Sequence, residues 1–165
     1  MIVVSNSSPL IALARIHRLD LLECLFQRIL VPPEVHHEVT VQGRGLPGAE
    51  EISGAKWIEI APLTAAGDAR LSQLCQSLGA GEQGAILLAK HLGARFVLLD
   101  EWKARRIATA AGLSVMGCLG ILETAARRGL VPDLRSAYIT LLQQGIRFDL
   151  RLLQNSLDSF GLPKL

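Results

Sequence analysis

The chain has 165 residues, half of them hydrophobic, and 15 glycines. That is enough for one domain with a real core, short for two, and incompatible with a disordered tail. Seventeen Lys and Arg against 15 Asp and Glu leave a net charge of +2, which tolerates a nucleic-acid partner without arguing for one; four Phe, two Trp and one Tyr are too few to bind a single strand along a row of stacked bases.

Residues 2–5 read as a short buried strand that runs into the polar stretch Ser5-Asn6-Ser7-Ser8. Ser8 then Pro9 reads as a helix start, a hydroxyl N-cap before proline at the first helical position, with the helix reaching about Ile16. Leu19–Phe26 is a second short helix, "RILV" (28–31) a second strand, and Pro32-Pro33 opens a helix through Val41. "QGRGLPG" (42–48) is a glycine-rich loop, and "KWIEI" (56–60) alternates as a third strand. Leu71, Leu74, Cys75 and Leu78 recur at helical spacing and predict a helix over 68–78. Glu82 to Leu92 is a further helix ended by Gly93, and "RFVLL" (95–99) is an apolar strand of the kind buried on both faces. Trp102–Ala111 is helical up to Gly112, "LSVMG" (113–117) supplies a last short strand, and helices follow at 118–128, 132–144 and 149–160. Strands alternating with helices predict a three-layer α/β/α sandwich around a mainly parallel sheet of four or five strands. One domain over 1–165 is expected, with 146–165 as a C-terminal helical extension.

Several chemistries are set aside on spacing. Cys24, Cys75 and Cys118 are far apart among apolar neighbours, which reads as three reduced core thiols rather than a zinc site. His36 and His37 are adjacent, so on a helix they point about 100° apart and cannot chelate together; they are placed on the surface or in a groove, within reach of RNA. Ser7 and Ser8 have no partner His and Asp at a suggestive spacing, which argues against a serine hydrolase. "GAGEQG" (79–84) spells a dinucleotide-binding fingerprint, but that site needs a strand before the glycines and no carboxylate beside the phosphates. Here the preceding residues have helical period and Glu82 sits inside the motif. The alternative is a helix–turn–helix connection in which Gly79 and Gly81 make a tight corner. No secretory leader and no apolar run near membrane-spanning length is present, so a soluble cytoplasmic protein without membrane contact is expected.

Polar oxygens gather where a doubly wound sheet keeps its functional rim, beyond the carboxyl ends of the strands. Asn6 follows the first strand, Glu38 lies in the helix after the second, Glu82 opens the helix before the long apolar strand, and Asp100-Glu101 end that strand. Brought together, Asn6, Glu38, Glu82 and Asp100 would suit Mg²⁺ or Mn²⁺, hard cations that take oxygen ligands from several elements. Lys103, Arg105 and Arg106 follow Asp100 directly and are the candidate contacts to an RNA backbone.

Two long stretches, "VVSNSSPLIALARIHRLDLLECLFQRILVPPEVHHEV" and "LGAGEQGAILLAKHLGARFVLLDEWKARRIATAAGLSVMGCLGILETAARRGLVPD", resemble the PIN-domain family. The likeness is nearest to a branch of short, uncharacterised prokaryotic PIN-like proteins related to VapC-type toxins. It implies a magnesium- or manganese-dependent ribonuclease, often a toxin neutralised by an antitoxin protein and often a homodimer. It also implies catalytic and metal-holding positions at Asn6, Glu38, Glu82 and Asp100, with Glu101 as a further metal oxygen and Ser7 as the supporting hydroxyl. Asn6 stands where the family has its first acidic residue; an amide brings a carbonyl oxygen but no charge, which lowers affinity for a divalent cation. The reading is therefore a metal-dependent PIN-type ribonuclease, the toxin of a toxin–antitoxin pair, with a catalytically weak or inactive RNA- or protein-binding module as the alternative, because Asn6 replaces the first acidic ligand, and a dinucleotide-binding protein behind it.

Overall fold

The computed structural model describes all of residues 1–165. Five strands form one sheet in the order β3-β2-β1-β4-β5, every pairing parallel. They are β1 (Val3–Ser5), β2 (Ile29–Val31), β3 (Ile58–Ile60), β4 (Phe96–Leu98) and β5 (Val115–Met116). Ten α-helices surround them: α1 (Ser7–Arg15), α2 (Asp20–Phe26), α3 (Pro33–His37), α4 (Ala49–Gly54), α5 (Ala69–Leu74), α6 (Ala80–Leu92), α7 (Trp102–Ala110), α8 (Cys118–Arg127), α9 (Leu134–Gln143) and α10 (Leu150–Ser159).

The strand residues divide between two cores with the period of two that a pleated strand imposes. Val3, Ile29, Val31 and Leu98 face a core built with α1, α2, α8, α9 and α10, whereas Val4, Val97 and Leu99 face one built with α5, α6 and α7. This is the expected α/β/α sandwich, with five strands and no antiparallel member. Leu153 and Leu157 of α10 are fully buried in the larger core, and the Tyr138 hydroxyl meets the Ser156 hydroxyl at 2.6 Å. The last helix is thus packed into the domain. No helix is long and apolar enough to cross a membrane.

Local details correct the sequence reading. Helix α1 starts two residues earlier than the Ser8-Pro9 signal: Asn6 holds the N-cap position and Pro9 is the third helical residue. Proline is tolerated there because the first four helical N–H groups have no intrahelical partner to lose. The helix opened by Pro33 gives way to a π turn at Glu38–Gln42. The loop after it ends in an unexpected short helix, α4, entered through Gly48 at φ +94°. Cys24 is exposed, against the expectation of a core thiol, because α2 turns Leu21, Leu22 and Leu25 inward; Cys75 and Cys118 are buried as expected.

The "GAGEQG" glycines do not form a tight corner. Gly79 is the N-cap of α6 in extended conformation, while Gly81 and Gly84 lie inside its first two turns. They let α3 and the π turn approach: a Cβ on Gly84 would stand 3.2 Å from the Pro32 ring. The segment before them is α5 and a 3₁₀ turn at Cys75–Ser77, so the strand that a dinucleotide site requires is absent.

Candidate functional site

From β1 the chain builds outward to β2 and β3, then returns to place β4 on the other side of β1. That reversal is the topological switch point of an open α/β sheet, and the crevice beyond its carboxyl edge is where such folds collect functional groups. Asn6 follows β1 there, and Asp100 stands two residues beyond β4. The two strands are in register, Ser5 opposite Leu98, and the Asn6 N–H donates to the Leu98 carbonyl at 3.0 Å. Ser5, Asn6 and Ser7 are all buried, so the polar run that follows β1 is interior. The Ser5 hydroxyl donates to the Asn6 carbonyl, and the Asn6 amide makes a long contact of 3.5 Å with the Ser8 hydroxyl.

Glu38 reaches the rim from the π turn, a backbone form frequent at functional sites. Its carboxylate accepts from the Ser7 hydroxyl and, at 3.2 Å, from the Gly81 N–H. A Cβ on Gly81 would lie 2.7 Å from one Glu38 oxygen and 2.8 Å from the other. The carboxylate therefore rests on α6 only because residue 81 has no side chain. Glu82, the next residue, turns back to accept from the Gly79 N–H at 3.2 Å. Burial pushes its carboxyl pKa up, the Gly79 N–H opposes this, and the charges of Glu101 and Glu38 push it further up. Glu82 thus stands within electrostatic reach of two carboxylates from other elements, Glu38 and Glu101.

Asp100 occupies a second, more enclosed position. One of its oxygens accepts from the Cys118 N–H, the first of α8, at 2.6 Å. Burial raises its pKa, with the Cys118 N–H and the Arg105 guanidinium pulling the other way. Arg105 donates to the Leu99 carbonyl at 2.8 Å. A Cβ on Gly117 would stand 2.6 Å from Arg105 Nη1 and 2.9 Å from the Asp100 oxygen, so this glycine too makes room for a carboxylate and its partner. Glu101 caps α7, accepting from the Ala104 N–H at 2.8 Å. The buried Cys118 thiol is pushed well above its ordinary value by burial and by Asp100.

The predicted acidic residues therefore fall into two groups. Glu38, bonded to Ser7, and Glu82 sit at the start of α6 with the charge of Glu101 nearby, whereas Asp100 is bonded to the start of α8 near Arg105, and the Asn6 side chain bonds only to Ser8. No three His, Cys, Asp or Glu side chains stand ready to hold one metal ion. The donors themselves are of the right kind, all oxygen and mostly anionic, and the like-charge crowding around Glu82 is what a hard cation would relieve. A cleft of about 380 Å³, lined by Pro33, Glu34, His37, Glu38, Gln42 and Ala80, opens Glu38 to solvent. His37 lies in this groove, while His36 stands 3.4 Å from the Thr40 hydroxyl.

The three basic candidates part company. Lys103 and Arg106 are exposed on α7, but Arg105 is half-buried and turned toward Asp100. Sequence reasoning missed Gly81, Gly117 and the Cys118 N–H, which set the positions of Glu38 and Asp100. The only signal for them was small residues in helical first turns, and its meaning depends on what packs opposite.

Comparison with known proteins agrees with this architecture. A family model described as a PIN domain matches residues 2–162. No curated protein and no solved structure matches the chain. PIN domains generally use divalent metals and commonly bind RNA, which suggests a nuclease-type function. Matched from residue 2 to residue 162 and built on an all-parallel five-stranded sheet, this chain belongs to the PIN-domain family.

Proposed function

We propose that the protein is a metal-dependent ribonuclease of PIN type, hydrolysing RNA phosphodiester bonds as the toxin of a toxin–antitoxin pair. The observation that carries this reading is the seating of Glu38 and Glu82 on the start of α6 at the carboxyl edge of the sheet, where burial and then the charges of Glu101 and Glu38 raise Glu82. Asp100, Glu82 and Glu38 would hold Mg²⁺ or Mn²⁺, with Glu101 as a further oxygen and Asn6 orienting a water through its amide. When bound, such an ion supplies a more acidic water and charge neutralisation on the phosphate. Ser7 and the Gly81 N–H fix the Glu38 carboxylate, the Cys118 N–H fixes Asp100, and Arg105, anchored on the Leu99 carbonyl, places its positive charge near Asp100. Lys103 and Arg106 are the candidates for holding the RNA backbone by charge. An antitoxin and a second copy of the chain are the protein partners this reading brings with it, and the cytoplasm is its compartment.

A second reading, an RNA- or protein-binding module without hydrolysis, is favoured by the neutral, buried Asn6 and by the protein donor already engaging each rim carboxylate. One experiment separates the two. Purified protein is incubated with a broad RNA panel in Mg²⁺ or Mn²⁺, with EDTA as control and E82Q and D100N as variants. Cleavage that needs metal and both carboxylates supports the ribonuclease; an inert wild type that still binds RNA supports the module.

A further inference from the structure

The first turn of α7 carries an aromatic side chain that the rim carboxylates do not use. Trp102 directly follows Asp100 and Glu101, and it is 65% exposed although indole is a large apolar surface. The other tryptophan, Trp57, packs against the larger core. One turn along α7, the Arg106 guanidinium lies 4.8 Å from the Trp102 ring centroid. That is the i, i+4 spacing at which helical side chains share a face. Lys103 is exposed beside them, and the Glu101 cap on the Ala104 N–H ties down the start of the helix.

We propose that Trp102, backed by Arg106, is a stacking platform for one unpaired base of the RNA next to the carboxylate rim, with Lys103 on the adjoining phosphate. An aromatic ring beside an arginine stacks any base, because every base presents a π face. In a duplex those faces are already covered by neighbouring pairs. The platform therefore selects single-stranded RNA and is indifferent to sequence. One ring serves one base, which agrees with a chain holding only two tryptophans. The inference deepens the RNA reading given above and rests on it, but not on hydrolysis.

The test is equilibrium binding of an unpaired oligoribonucleotide of about eight residues to the whole chain, in EDTA so that nothing is cleaved. Wild type, W102A, W102F and R106A are compared, with a blunt RNA duplex as the second ligand. W102A should weaken binding of the unpaired strand by about tenfold or more. W102F should lose much less, R106A should fall between them, and the W102A effect should be absent on the duplex. Unpaired-strand binding by W102A within about twofold of wild type overturns the platform. So does an equal loss on the duplex, which would mean a general charge or folding effect. A change in oligomeric state with RNA binding intact also overturns it and makes Trp102 a protein contact. If binding depends on Trp102 but wild type cleaves nothing with metal, hydrolysis fails and the platform stands. If wild type cleaves and W102A binds and cleaves equally well, the platform fails and the ribonuclease stands.

Discussion

Replacing Gly81 with alanine sets two calculable effects against each other. Alanine inside a helix is favoured over glycine by about 1 kcal/mol, so helix propensity alone makes G81A stabilising. The new Cβ, however, would meet both Glu38 carboxylate oxygens at 2.7 and 2.8 Å. Glu38 must swing away, giving up the Gly81 N–H and the Ser7 hydroxyl, which is buried and left without its acceptor. Hydrogen bonds to a charged group contribute about 1.5–3 kcal/mol each, at the low end here because Glu38 is half-exposed and recovers water. Losing about 3 kcal/mol and gaining about 1 leaves G81A less stable by about 2 kcal/mol. Urea denaturation measures this against two controls. G54A has open space around the new methyl and should be neutral or slightly stabilising. E38Q should lessen the effect of G81A, because the contacts that the methyl displaces are then weaker. A G81A protein as stable as wild type, or more so, would refute the argument that this glycine exists to seat the Glu38 carboxylate.

Three further outcomes follow from the rim and the core. Burial holds the Asp100 pKa up, so its ionised form is the less stable one in the fold, and its cost is present at neutral pH and relieved as pH falls through the carboxylate range. D100N should accordingly show its greatest stability relative to wild type near neutrality, with the difference closing on acidification; a difference that widens in acid contradicts the sign. If the rim binds Mn²⁺, a hundredfold excess over Kd stabilises the fold by about 2.7 kcal/mol; calorimetry should show this rise in wild type and its loss in E82Q. Y138F removes the buried partner of the Ser156 hydroxyl and should cost about 1–2 kcal/mol, with S156A adding little in the double variant; fully additive losses would show that the two hydroxyls are not coupled.

What the sequence made legible was whatever rests on local chemistry. "RFVLL" could only be a strand covered on both faces, and it pairs in register between β1 and β5. The polar run after β1 and the carboxylates after β4 follow from the rule that loops at the carboxyl edge carry function. What failed depended on partners distant in sequence. "AEEISG" has too few residues to show a helical period, yet α4 forms because Ala49 and Ile52 find the core. Cys24 looks apolar in context, but the direction of its side chain was decided by Leu21, Leu22 and Leu25. Arg105 belongs to a basic run by sequence, and only the missing side chain at Gly117, directly after β5, lets it turn inward.

The rim carboxylates share one feature that bears on how the site would work. Glu38 and Glu82 accept from N–H groups at the start of α6, Glu101 from one in the first turn of α7, and Asp100 from the first of α8. Three helix N-termini, each with the partial positive charge of its unpaired N–H groups, therefore hold the rim acids, α6 and α7 the group around Glu82 and α8 the separate, enclosed Asp100. This is how the fold keeps like charges together: the helices supply the positive potential that free carboxylates crowded at one edge would lack. The same arrangement sets the terms for any cation. An incoming ion does not fall into a waiting cage but must draw oxygens off backbone donors that already stabilise them, and Asn6 contributes no charge to that competition. Metal affinity in this chain is then limited by the hydrogen bonds of α6 and α8 as much as by the number of acids. Weakening a donor, rather than adding a carboxylate, becomes the more direct way to raise it.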